Sequence, residues 1–304
     1  MGSWLSQMIE KIRANLRPLR ESVNEYARGS VGGLLFSLPL LYTMEIWWAG
    51  FLTDPGILLL YVGLTFLLLL GYNRFAGMRE DSSWLEVAID SIEEMGIGLV
   101  LAAVVLFLLG RLTWDMPLFE ILGKIVVESM TVAVGVSVGT AQLGGGGNGS
   151  DNGVAARPVV DVDSAEQPEQ PPRTRDILAQ LVLAFCGAVL FASNVAPTEE
   201  ILVIGIQTSP LKLLGLVVLS LLTGAVVLVF SGFIGAQVAT HGSGWFYAAF
   251  AVITSYAAAL IASALMLWFF QRLDGAPLAI GVAQIVVLAF PAMLGASAGR
   301  VLIQ

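Results

Sequence analysis

Charge is nearly excluded from eight long stretches of this chain, and that pattern constrains its fold more than any other feature. The stretches run Val31–Leu52, Gly56–Tyr72, Val87–Leu109, Leu118–Thr140, Ile177–Ala196, Leu211–Phe233, Phe246–Phe270 and Leu278–Ile303. Each is close to the roughly 20 apolar residues that an α-helix needs to cross a hydrocarbon core about 30 Å thick. The composition agrees, with 57% hydrophobic and 12% charged residues against about 25% charged in a soluble domain. A water-soluble alternative would have to bury almost every helix on all sides. The expected fold class is an all-α polytopic membrane protein with eight transmembrane helices.

The stretch GGLLFSLPLLYTMEIWW, Gly32–Trp48, returns 155 positions later as GAVLFASNVAPTEEI, Gly187–Ile201. Aligned without a gap, Gly32, Phe36, Thr43, Glu45 and Ile46 fall on Gly187, Phe191, Thr198, Glu200 and Ile201. The match continues through Gly50/Gly205, Thr53/Thr208 and Pro55/Pro210. After a small change of offset, Trp84 and Arg111 answer Trp245 and Arg272, and Gly135, Ser137 and Gly139 answer Gly295, Ser297 and Gly299. Each unit holds four helices, an even number that returns the chain to its starting side. The two repeats, 30–141 and 176–304, are therefore expected to be parallel, related by an axis along the membrane normal.

Residues 1–29 place Leu5, Met8, Ile12, Leu16, Leu19 and Val23 at three- and four-residue steps, with Lys11, Arg13, Arg17 and Arg20 on other faces. This predicts a basic amphipathic helix, kinked near Pro18, of the kind that lies on the cytoplasmic lipid surface; a partner-binding helix is the alternative. No cleavable signal is visible, because the first apolar run follows this charged segment and is as long as a span. With the N-terminus inside, eleven of the 15 lysines and arginines fall on the inner side and only Arg111, Lys212 and Arg272 on the outer. Both termini are thus expected in the cytoplasm, with the protein in the bacterial inner membrane. Between the repeats, residues 142–175 pass through GGGGNGSDNG into an acidic, proline-rich piece. Such a segment cannot bury enough apolar surface to fold and is expected to be a disordered cytoplasmic linker. It supplies part of the net charge of −8, which argues against nucleic acid as a partner. Cys186 is the only cysteine, so no intrachain disulfide can form.

Gly135-Val-Ser137-Val-Gly139 and Gly295-Ala-Ser297-Ala-Gly299 match the nucleophile elbow of serine hydrolases. That elbow needs a strand-to-helix turn and a histidine base, whereas these lie inside apolar helices and the sole histidine, His241, lies in a loop. Both are also G-x-x-x-G, which lets helix backbones approach closely in lipid, and packing is the expected role. Grooves facing outward would make a homo-oligomer; grooves facing inward, the expected case, would lock the repeats together.

Acids within the spans are the more informative signal, because a charge at the bilayer centre costs several kcal/mol and persists only facing protein or water. In the third helix Glu86, Asp90 and Glu93 or Glu94 form one stripe, and in the fourth Glu120, Lys124 and Glu128 form another. Counting about 1.5 Å per residue puts Glu94 and Glu128 near the midplane, where they could share a cation, a proton or Lys124. The alternative is structural, with Lys124 neutralising Glu120 and Glu128. The second repeat has Thr254, Ser255, Gln284 and Leu288 at matching places, so the four-helix unit does not require the acids. A further pair, Glu45 and Glu200, follows Thr43 and Thr198 by two positions, with Pro39 and Pro197 as the expected interruptions upstream. These four residues are the candidate outer gate; the alternative puts both acids in interfacial water.

RGSVGGLLFSLPLLYTMEIWWAG in the first helix, IEEMGIGLV in the third and NVAPTEEI in the fifth resemble a bacterial family of integral membrane proteins of unknown function. PLLYTMEIWW is the most specific piece. The resemblance implies a polytopic membrane protein and brings no substrate or catalytic residues. From the residues themselves, the leading expectation is a channel or transporter for a small cation, with proton linkage open. Its path would run past Asp90, Glu93, Glu94, Lys124 and Glu128. A membrane sensor or scaffold acting through the linker and the basic helix is the rival. No pattern implies a cofactor, and neither a metal-ligand cluster nor a phosphate loop supports an enzyme.

Overall fold

A computed structural model describes residues 26–76, 83–142, 174–230 and 244–301, together with Val23. The amphipathic helix expected over residues 1–29, apart from its last positions, and nearly all of the linker lie outside the described residues, as does His241. The described chain is helical, and no strand occurs in it. The helices are α1 Tyr26–Leu41, α2 Met44–Leu52, α3 Pro55–Ala76, α4 Trp84–Leu108, α5 Leu118–Gln142, α6 Thr174–Val195, α7 Glu199–Gln207, α8 Pro210–Phe230, α9 Gly244–Phe269 and α10 Leu278–Val301. Seven are long and apolar enough to cross a membrane, and α1 with α2 would make an eighth crossing.

That eighth crossing is where the structure departs from the expected straight span over Val31–Leu52. The chain turns 88° between α1 and α2. Pro39 stays inside α1, and the break falls at Thr43, whose backbone is extended at φ −93° and ψ 116°. Proline has no N–H to give the carbonyl one turn back, so the helix is weakened just before it stops. The Thr43 hydroxyl then donates to the Pro39 carbonyl at 2.6 Å and its N–H to Leu40 at 2.9 Å, closing the frayed turn. A comparable break separates α6 from α7 at Ala196, Pro197 and Thr198, where the Thr198 hydroxyl donates to Val195 at 2.9 Å. Helix α7 lies beyond the expected span Ile177–Ala196.

We call the end at which α1, α4, α6 and α9 begin the near end, and the end holding α2 and α7 the far end. Two loop arginines brace the breaks at the far end. The guanidinium of Arg111 stacks over the Trp47 ring, 4.3 Å from its centroid, while Trp47 donates to the Leu41 carbonyl at 3.2 Å. Arg272 donates to the Pro197 carbonyl.

Helix packing relies on glycine. Gly32 of α1 rests against Gly135 and Gly139 of α5, and Gly187 of α6 rests against Gly295 and Gly299 of α10. A Cβ at Gly135 would stand 3.1 Å from the Gly33 Cα. The four G-x-x-x-G glycines are buried, and each pair grips the first helix of its own half of the chain. They do not tie one half to the other. In lipid no hydrophobic force draws helices together, and close van der Waals contact of bare backbone takes its place.

The halves meet elsewhere, through α3 and α6. Val182 fills the space beside Gly71, and the Asn194 amide donates to the Phe36 carbonyl at 3.1 Å. Tyr61 of α3 stacks on Phe269 of α9 with ring centroids 4.0 Å apart. One core cluster draws residues from both halves, including Leu40, Ile46, Leu58, Met130, Ala188, Leu267 and Met293.

Candidate functional site

Glu120, Lys124, Glu128 and Thr131 lie along one face of α5, at steps of four, four and three residues, and Ser137, six residues further on, stands on the opposite face from Glu128. All but Glu120 are buried, so these side chains look into the bundle and not into lipid. Three separate groups form along the helix.

At the far end, the Lys124 ammonium pairs with Glu120 at 2.5 Å. It also reaches the Arg111 carbonyl at 3.5 Å and the Met116 sulfur at 3.6 Å, and lies 5.6 Å from the centre of the Phe51 ring. Lys124 is equidistant in sequence from Glu120 and Glu128 and is committed to the first. No ion pair joins it to Glu128.

One turn further in stands Glu128, 0% exposed, with neither carboxyl oxygen in a hydrogen bond. The Tyr61 hydroxyl lies within its electrostatic reach. That hydroxyl is 3.3 Å from Thr131 Oγ1, so the two hydroxyls satisfy each other.

Towards the near end, Asn73 of α3 organises the third group. Its amide nitrogen donates to Glu94 at 2.8 Å and to Ser91 at 3.1 Å, both on α4. Its carbonyl accepts from the Ser137 hydroxyl at 2.8 Å. Ser91 in turn donates to the Val87 carbonyl at 2.8 Å. Three helices are thereby joined through one amide. Glu94 is 8% exposed, and the Tyr72 hydroxyl, within its electrostatic range, is buried without a hydrogen bond.

Glu94 and Glu128 are not brought together. Glu94 sits at the level of Ser137, and from position 128 to 137 along α5 is about 13 Å at about 1.5 Å per residue. The rest of the α4 stripe divides by role. Glu86 closes a capping box with Ser83, accepting from its N–H at 2.9 Å while the Ser83 hydroxyl accepts from the Glu86 N–H at 3.4 Å. Glu93 is exposed and accepts from the Tyr26 hydroxyl at 3.1 Å. Asp90 is half-buried. At the far end Thr43 and Thr198 are the N-cap residues of α2 and α7, with Glu45 half-buried and Glu200 exposed in the first turns.

The family profile described as "Putative integral membrane protein (DUF2391)" matches residues 25–303. The chain belongs to the DUF2391 family. No curated protein and no solved structure matches it. Membership makes it an integral membrane protein with several apolar helices, in a family whose description assigns no activity.

Three residues that matter to this DUF2391 protein escape the sequence reading. Asn73 falls one position past the expected span ending at Tyr72, where an amide reads as interfacial. Tyr61 reads as one apolar residue among many. Arg300 counts as a cytoplasmic positive charge, yet it is 1% exposed. Its guanidinium donates to Gln180 of α6 at 3.2 Å and to Thr254 of α9, with Nε unpartnered. The available signal was a polar residue on the inward face of an apolar helix within a turn of its end.

A test of the amide follows from its bonds. Asn73→Leu removes the donor to Glu94 and Ser91 and the acceptor for Ser137, and a buried polar group left without its partner costs about 1–3 kcal/mol. The variant is expected to lose about 3 kcal/mol of stability, read as a lower melting midpoint in detergent. Asn73→Leu combined with Glu94→Leu should recover part of that loss, because fewer polar atoms then need a partner.

Proposed function

We propose that this protein moves a small cation or a proton across the membrane past the buried polar side chains along α5. The observation that carries the reading is Glu128, a carboxyl group inside the bundle with no bond to either oxygen. Structural acids are paired, as Glu120 and Glu86 are here. An intramembrane acid kept unpaired, in either charge state a destabilising arrangement, has a use that the fold does not supply. The Asn73 network with Glu94 would lie on the path towards the near end, and the half-buried Asp90 beyond it.

The proposed setting is a bacterial inner membrane with the near end cytoplasmic, as the distribution of lysine and arginine favours. The proposed build is two parallel four-helix repeats. It is supported by matching particulars: Gly32 on Gly139 and Gly187 on Gly299, Thr43 and Thr198 as caps, Arg111 and Arg272 at the breaks. In this arrangement Glu45 and Glu200 stand at the outer mouth.

Flux into proteoliposomes tests the reading. Under imposed gradients of H⁺, Na⁺, K⁺, Mg²⁺ and Ca²⁺, the wild-type protein should pass one of them and Glu94→Gln should slow it at least tenfold. Glu45→Gln with Glu200→Gln should lower the rate or change its pH dependence. Absence of flux for every ion would end the transport reading. Unchanged flux in the folded double variant would remove the two outer acids from the path.

A further inference from the structure

We propose that the species taken up at Glu128 is a proton, and that the side chain stands as a neutral carboxylic acid in the packing described above. The inference rests on the transport reading and narrows it to one ion. Three forms of the site can be compared.

A bare carboxylate would keep its full charge among Val127, Met130 and the core around them. The cost of burying an unpaired ion is several kcal/mol even after relaxation. Among the described residues no ion pair and no hydrogen bond to Glu128 offsets it. On its own helix, Lys124 is bound to Glu120. From α3 the titratable group facing it is Tyr61, whose hydroxyl is engaged with Thr131. From α4 it is Glu94, held about two and a half helical turns away by Asn73. From α2 the acid is Glu45, half-buried at the far end, and from α6 Cys186 lies beside Tyr72.

A bound metal cation would need a shell of six or more oxygens for Ca²⁺, or near-octahedral oxygens for Mg²⁺. Glu128 offers one carboxylate, and no group of three acidic, histidine or cysteine side chains suited to a metal ion occurs among the described residues. The neutral acid leaves only an unpaired hydroxyl and carbonyl, about 1–3 kcal/mol. It is the least costly of the three. Uptake is the transfer of H⁺ from hydronium to the carboxylate oxygen, leaving water; release is the reverse. Nothing else is oxidised, reduced or bonded.

Infrared difference spectroscopy on the full-length protein in lipid reads this directly and requires no flux. The wild type minus Glu128→Gln, and separately minus Glu128→Leu, should show at pH 7 one carboxylic-acid carbonyl band, distinct from the carboxylate bands. The band should shift in D₂O and disappear as the pH is raised. Added Na⁺, K⁺, Mg²⁺ or Ca²⁺ at fixed pH should leave it unchanged. Absence of the band in both differences at pH 7 would overturn the proposal, and so would its loss on adding any of the metal cations. The wild-type titration stands even where one variant does not fold. A band that behaves as expected in a protein without flux would uphold the acid and defeat the transport reading, so the two can fail separately.

Discussion

Gly123→Ala is expected to destabilise the protein by about 3 kcal/mol or more, the largest effect of a single methyl group anywhere in the described chain. Helix α2 lies directly on the start of α5 at this point. A Cβ added to Gly123 would fall on the Gly50 carbonyl, and one added to Gly50 would meet the N and Cα of Lys124 at 2.6 Å each. Every one of these neighbours is backbone, so no side chain can turn away. The added methyl must lift α2 off α5. Ordinary overpacking in a core costs about 1–3 kcal/mol because side chains give way; here a whole helix must move. The displacement also carries Trp47 from under Arg111 and Phe51 from beside Lys124. Thermal melting in detergent, followed by tryptophan fluorescence, checks this against Gly63→Ala, Gly96→Ala and Gly215→Ala. Those three glycines have open space where the Cβ would go. Alanine there should be neutral or stabilising, by up to about 1 kcal/mol from helix propensity. A Gly123→Ala protein that melts with these controls would show that α2 and α5 are not so closely seated.

Glu128→Leu is expected to act in opposite directions on stability and activity. Leucine occupies position 288, which matches 128 in the other half of the sequence. Leu288 is 0% exposed on α10, so an apolar side chain is compatible with such a place. Removing a buried acid with two unpartnered oxygens should stabilise the fold by about 1–3 kcal/mol. Glu128→Gln should gain little, because its amide stays equally unpartnered. Both variants should lose ion flux at least tenfold, a rise of about 1.4 kcal/mol in the barrier. Paired melting and proteoliposome measurements on the same preparations decide the matter. A leucine variant that is less stable yet still conducts would make Glu128 a structural residue.

The arrangement of the site divides what was legible in sequence from what was not. Apolar block length and the intrinsic requirement that backbone groups be satisfied in lipid set the helical class and the approximate number of crossings. The same reasoning picked out Glu94 and Glu128, because an acid in an apolar block is conspicuous whatever surrounds it. Pairing was beyond its reach. Lys124 has an acid one turn before it and another one turn after it, and helical spacing treats these alike. The choice of Glu120 is made by Arg111, Met116 and Phe51, which reach Lys124 only when the α4–α5 loop and α2 fold over the far end. Asn73 likewise becomes the partner of Glu94 only because α3 packs against α4 and α5.

The break between α1 and α2 lies between these cases. A proline and a threonine four residues later announce a weak turn, but Pro39 remains helical and the 88° bend falls at Thr43. Its place depends on where α2 can seat Gly50 against Gly123. Sequence alone therefore determined which groups must be kept from lipid, since hydration and burial costs belong to each residue. Which partner each group meets was decided by tertiary structure, because hydrogen bonds and backbone contacts over a few ångströms depend on how separate helices are placed.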